Sequence, residues 1–325
     1  MSSGGDGDGT DTGRGGGLGR RLAWLAGHPA WARMSWRVGP AARLAIAAGL
    51  IGFIVWRLQS LGWARVWAAL PTAPGFYLTG IVLFFLQPLA DVAIFRRLWP
   101  AGGRPGLRVM LRKRFLNASV IDYSGEGYLF AFARTALPGQ DRLVLHTIKD
   151  SNILSASASL LVLVVLVTAL VALVPARIEL PASETMAFAV LIGLSVLPVG
   201  AYLAWPGKMT VVGSADLRFV FAVHLARAVG VNLLVVLMWW QGMTGVAPLA
   251  LMELLALRLL ASRLPFVGNK DLVFLGGSIG LGEALAVPQA SLAAVVLAAM
   301  ALELVLNLAL VGLPWLGERL AARRD

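Results

Sequence analysis

Long apolar runs alternate along the chain with short basic or Gly/Pro-rich stretches, and the runs are longer than the core of a soluble domain requires. The runs at 153–174 and 292–313 each exceed the ~20 residues that cross ~30 Å of hydrocarbon at 1.5 Å per residue. Six full spans are expected, at about 41–56, 75–95, 151–174, 185–205, 219–240 and 288–313. The stretch 100–111, rich in glycine, proline and arginine, reads as a loop. Two further segments are mixed. Residues 115–137 contain Asn117, Asp122, Glu126 and Arg134; residues 249–285 contain Glu253, Arg258, Arg263, Lys270, Asp271 and Glu283. Both are apolar enough to enter a membrane but too polar and too broken by glycine to span it facing lipid, since an ionised side chain at mid-bilayer costs at least ~2.5–3.5 kcal/mol. The fold class expected is an all-α, polytopic transmembrane bundle of about six spans plus two re-entrant helical hairpins.

Composition agrees with this pattern: 58% of the residues are hydrophobic, 14% are charged and mean hydropathy is +0.77, whereas soluble domains carry roughly 25% charge. Residues 1–38 divide into a Gly/Ser/Asp tail with almost no apolar side chain to bury, expected to be disordered, and an Arg/Trp-rich interfacial stretch. The membrane domain is expected over 39–317 and a short tail over 318–325. The net charge of +11 is concentrated beside the spans, in the N-terminal tail, at 96–114 and at 319–324, while 176–183 and 242–246 hold one basic residue, Arg177. Cytoplasmic loops are the Arg/Lys-rich ones, so an inner-membrane location with both termini cytoplasmic is expected. The same distribution argues for anionic headgroups rather than nucleic acid as the partner of the positive charge.

The chain has no cysteine and three scattered histidines, and it lacks HExxH, Walker and GxSxG motifs. Thiolate chemistry is therefore excluded, and neither a metal nor a cofactor is expected. Gly125-Glu126 and Gly282-Glu283 each fall in one of the polar segments, three spans apart, so the two hairpins would enter from opposite faces as in inverted-repeat transporters. Either glutamate can pair with an intramembrane arginine or act on substrate or proton. His224 and Arg227 share a helical face, and Arg227 suits a headgroup phosphate, a salt bridge or snorkelling. Gly276 and Gly280 have the spacing for close helix packing or for an anion nest. Gln87 and Asp91, like Glu303 and Asn307, read as interhelical hydrogen-bonding pairs. Arg112-Lys113-Arg114 reads as a topology determinant that meets lipid headgroups.

Asn117, Gly125-Glu126 and Arg134, followed by Leu264-Pro265, Gly276-Gly277, Gly280 and Gly282-Glu283, resemble the pattern of flippase-like membrane proteins related to the N-terminal membrane domain of lysylphosphatidylglycerol synthases. The resemblance runs over roughly 41–317. It departs at Tyr123-Ser124, where a Pro-Gly turn is usual, and at 266–269, which lacks a second proline. It implies handling or translocation of a lipid or lipid-linked glycan, with membrane lipids and envelope-biosynthesis proteins as partners; synthase activity is not carried over. The substrate-binding set expected is Asn117, Asp122, Glu126, Arg134, His224, Arg227, Arg258, Arg263 and Glu283. The alternatives are an integral-membrane transferase, with Asp122 or Glu126 as acid or base, and a non-catalytic scaffold.

Overall fold

The computed structural model describes residues 62–119, 123–173, 210–263, 270–281 and 287–321 with a few isolated positions, all within one compact unit, Leu50–Asp325. All regular structure among the described residues is helical, without a strand. The elements are α1 (Trp63–Ala68), α2 (Pro74–Leu98), a 3-10 turn (Ala101–Gly103), α3 (Leu107–Ser119), α4 (Ser124–Ala136), α5 (Asp141–Leu173), α6 (Ser214–Gly242), α7 (Pro248–Ala261), α8 (Lys270–Leu281), α9 (Gln289–Asn307), a π-turn (Leu308–Gly312) and α10 (Leu313–Ala321).

Four of these stretches are long and apolar enough to cross a membrane: α2, α5, α6 and the continuous run Gln289–Trp315. They coincide with four of the six expected spans; the other two, at 41–56 and 185–205, lie largely or wholly outside the described residues, as do 1–38. Large apolar side chains point outward along all four, among them Leu78 and Val82 on α2, Val165 on α5, Leu233 on α6 and Leu304 on α9. In water such a surface would drive association; in lipid it is the solvated face.

Two expectations need correction. Residues 100–111 are not a loop throughout, because α3 begins at Leu107: Arg108 and Arg112 both pair with Glu318, so their charges are met on the helix. Helix α5 begins at Asp141 rather than near 151, because its polar first turns have partners, Trp99 Nε1 donating to Thr147 Oγ1 at 2.8 Å and both Tyr202 and Thr210 donating to Asp150.

Side-chain contacts give the helix directions. Thr79 meets Gln241 at one end of α2 and Arg97 meets Asp216 at the other, so α2 and α6 are antiparallel. Ser151 bonds His224 and Ser155 bonds Arg227, so α5 and α6 are parallel. Gly242 sits against Phe76 and Val295, while Phe84 clusters with Val311, so the last span runs with α2. The chain therefore leaves α2 and enters α5 at one end of the bundle, with α3 and α4 between. It leaves α6 and enters α9 at the opposite end, with α7 and α8 between. The first end is strongly basic, with Arg96, Arg97, Arg104, Arg108 and Arg142, whereas the flanks 69–73, 243–247 and 287–289 at the second end hold no charge.

Each short pair is the centre of an apolar cluster. Ile94, Met110, Leu129, Val144 and Leu217 pack around α3–α4. Leu163, Val235, Leu254, Phe274 and Val295 pack around α7–α8, where Trp239 and Phe274 stack with centroids 5.4 Å apart.

Candidate functional site

Successive residues on an α-helix are turned by about 100°, so three consecutive cations on α3 face three different neighbours. Arg112 meets Glu318 and lies 5.4 Å from the Trp315 ring. Lys113 Nζ lies 2.8 Å from Asp91 Oδ2 on α2 and 3.5 Å from Glu126 Oε1 on α4. Arg114 Nη2 lies 2.6 Å from Glu303 Oε1 on α9, and its guanidinium is 4.7 Å from the Phe84 ring. Phe84 is about four turns, roughly 21 Å, inside α2 from its C-terminal end, so α3 reaches well into the bundle. The reading of Arg112-Lys113-Arg114 as one headgroup-facing block is corrected by this fan.

The cluster at Lys113 is closed. Lys113 and Asp91 side chains are each 6% exposed and Glu126 is 14% exposed. Asn117 completes it: its Nδ2 donates to Glu126 Oε2 at 2.9 Å and its Oδ1 accepts from the Gly125 amide at 2.6 Å. A Cβ at Gly125 would overlap the Lys113 carbonyl oxygen, so glycine is what lets α3 and α4 approach here. Ser124 Oγ donates to Leu116 O at 2.8 Å, and Tyr123 takes the left-handed conformation (φ 69°) that the tight turn into α4 requires. Asn117, Gly125 and Glu126, which carry the first half of the resemblance, are thus brought together. The cationic partner of Glu126 is a lysine rather than an arginine, and Asp91 and Glu303 both make the interhelical hydrogen bonds read for them, to Lys113 and Arg114.

A second polar group lies between α5 and α6. His224, 2% exposed, has its Nε2 3.0 Å from Ser151 Oγ, and Arg227 Nη2 donates to Ser155 Oγ at 2.9 Å. His224 Nδ1 and Arg227 Nε are buried without a hydrogen-bond partner.

The third arrangement is a cleft near mid-bundle, walled by the long spans, that residues of both short pairs line. Its walls are Gly80, Leu83 and Phe84 of α2, Val235, Met238 and Trp239 of α6, Phe274 of α8, and Val296, Ala299, Met300 and Leu302 of α9. Four charged groups face it: Arg114 from α3 with Glu303, and Arg258 from α7 with Asp271 at 3.2 Å. Arg114 Nε is buried without a hydrogen-bond partner.

Of the remaining expected site residues, Arg134 faces away and pairs at 3.2 Å with Asp141, both more than half exposed, and Arg263 is exposed just past α7. Asp122 and Glu283 lie outside the described residues, as do Leu264-Pro265 and Gly282. Lys113, Arg114, Asp91 and Glu303 were singled out in the sequence but not placed in the expected site; a helical wheel through 107–119, a stretch read as part loop, separates Lys113 from Arg114 but does not name their carboxylate partners. Among the described residues no group of three or more His, Asp or Glu is placed to hold a metal. No protein-family model matches the chain, and no curated protein or solved structure is detectably similar to it. The chemistry of the cleft and its neighbours is therefore the ground for function.

Proposed function

We propose that the chain is a flippase-like inner-membrane protein that takes the charged head of a lipid or lipid-linked amphiphile into the cleft lined by Arg114 of α3 and Arg258 of α7, while the tail stays in the bilayer. The observation that carries this is the cleft itself: arginines from both short pairs, Arg114 and Arg258, share one apolar-walled space with Phe84, Trp239 and Phe274. An amphiphile needs both kinds of wall, and charged groups at membrane depth stand where protein or a water-filled cavity surrounds them.

In this reading α3–α4 and α7–α8 are re-entrant hairpins based on opposite faces, which the helix directions support, because each pair begins and ends at one end of the bundle. At 13, 13, 14 and 12 residues, the four helices extend only about 18–21 Å each, short of a full crossing. Parallel α5 and α6 call for one crossing between them, and 185–205 is the apolar run of that length. With 41–56 this makes six spans. The Arg-rich end then faces the cytoplasm together with both termini.

The test is translocation in vesicles containing the purified full chain and a phospholipid with a quenchable headgroup fluorophore, with and without a proton gradient. The expected result is loss of more than the outer-leaflet half of the signal on adding a membrane-impermeant quencher. Vesicles that behave like protein-free ones under both conditions would overturn the proposal.

A further inference from the structure

The charge balance of the cleft narrows the class of head it admits. Its four charged groups, Arg114, Arg258, Asp271 and Glu303, sum to zero, and each arginine is matched to one carboxylate. Bringing a net charge into such a space is opposed by desolvation, with no uncompensated partner waiting to offset it. A head that carries its own pair of opposite charges adds no net charge. It exchanges ion pairs one for one: its phosphate accepts from an arginine, and its ammonium donates to the carboxylate that the arginine releases.

Three details fit that exchange. Arg114 donates to Glu303 through Nη2, and its buried Nε–H has no partner, so the carboxylate leaves the guanidinium fork unsaturated and a phosphate that draws the side chain into the cleft can engage both donors. The Phe84 ring at 4.7 Å keeps the guanidinium on the cleft wall when the carboxylate leaves. The carboxylates are the more exposed member of each pair, Glu303 at 40% against Arg114 at 16% and Asp271 at 35% against Arg258 at 27%. The carboxylate is thus the member of each pair nearer the surface and the one that can turn to an entering ammonium while the guanidinium turns to the phosphate.

We infer that the preferred occupant of the cleft is a zwitterionic aminophospholipid head, a phosphodiester bearing a primary ammonium, rather than an anionic one. This rests on the cleft being the lipid site.

The test is a competition read by native mass spectrometry. The full chain is released from vesicles of equimolar phosphatidylethanolamine and phosphatidylglycerol, and retained lipid is counted for the natural chain, Glu303→Gln and the double variant Arg114→Gln/Glu303→Gln. The double variant removes an ion pair without leaving a lone charge, so it is the one that separates binding from folding. The natural chain is expected to retain phosphatidylethanolamine over phosphatidylglycerol by about tenfold, the ratio that corresponds to ~1.4 kcal/mol. Glu303→Gln, which leaves the cleft with one net positive charge, is expected to shift that preference toward phosphatidylglycerol, and the double variant to lower retention of both. Equal retention of the two lipids, or a natural preference for phosphatidylglycerol, overturns the inference while leaving the cleft as a lipid site. Retention that is the same in the natural chain and the double variant overturns the inference and the lipid-handling reading together.

Discussion

Lys113 and Arg114 are neighbours in sequence, and each is a cation paired with carboxylates inside the bundle, yet their surroundings differ. Lys113 is sealed between α2 and α4, with Asp91 and Glu126 on its ammonium and Asn117 on the second glutamate oxygen. Arg114 faces a cleft, holds one carboxylate through one nitrogen and leaves another N–H unmet. A saturated, closed cluster can only be broken, so it anchors. An open pair with spare donors can change partners, so it can bind.

If that contrast is right, removing the anchor does the most damage to stability. Lys113→Met leaves two buried carboxylates without their cation, and breaking a buried pair in this way costs about 3–5 kcal/mol; thermal unfolding in detergent should show a large fall, and an unchanged midpoint would mean the cluster is not structural. Gly125→Ala puts a methyl group against the Lys113 carbonyl, and a loss of about 1–3 kcal/mol is expected from overpacking, read by the same melt. Glu126→Gln should cost less, about 1 kcal/mol, because Lys113 keeps Asp91 and the amide can still bond Asn117. A larger loss for Glu126→Gln than for Lys113→Met would reverse the assignment of lysine as the hub. The cleft double variant Arg114→Gln/Glu303→Gln is expected to change stability by under about 1 kcal/mol, since a neutral pair replaces a partly exposed ion pair, while lipid retention falls. Smallest of all, Arg134→Ala should stay within about 0.5 kcal/mol because its pair with Asp141 is exposed on both sides.

The four long spans among the described residues were legible because lipid imposes a simple rule, an unbroken apolar run of fixed length. That rule misplaced the start of α5, where Arg142, His146, Lys149 and Asp150 interrupt the run but Asp150 is held by Tyr202 and Thr210. Asn117 and Gly125-Glu126, singled out by the resemblance, do meet, since both ends of that contact lie within one helical pair. What stayed hidden was which face each cation of 112–114 takes. A stretch dense in arginine reads as loop until the distant Glu318, Asp91 and Glu303 are known to meet it, and no local pattern reports such partners. Arg134 was drawn into the expected site only by the resemblance, whereas its own position at the end of α4 turns it outward to Asp141.

The most direct test of the lipid cleft is to map where a lipid sits. The full chain in vesicles is irradiated with a phospholipid carrying a photoreactive group near its head, and labelled peptides are sequenced by mass spectrometry. Label is expected around Leu83-Phe84 on α2 and Phe274 on α8, and is expected to disappear in Arg114→Gln/Glu303→Gln while the protein remains folded. Label confined to the outward faces, around Val165 and Leu233, and unchanged in that variant, would contradict the account.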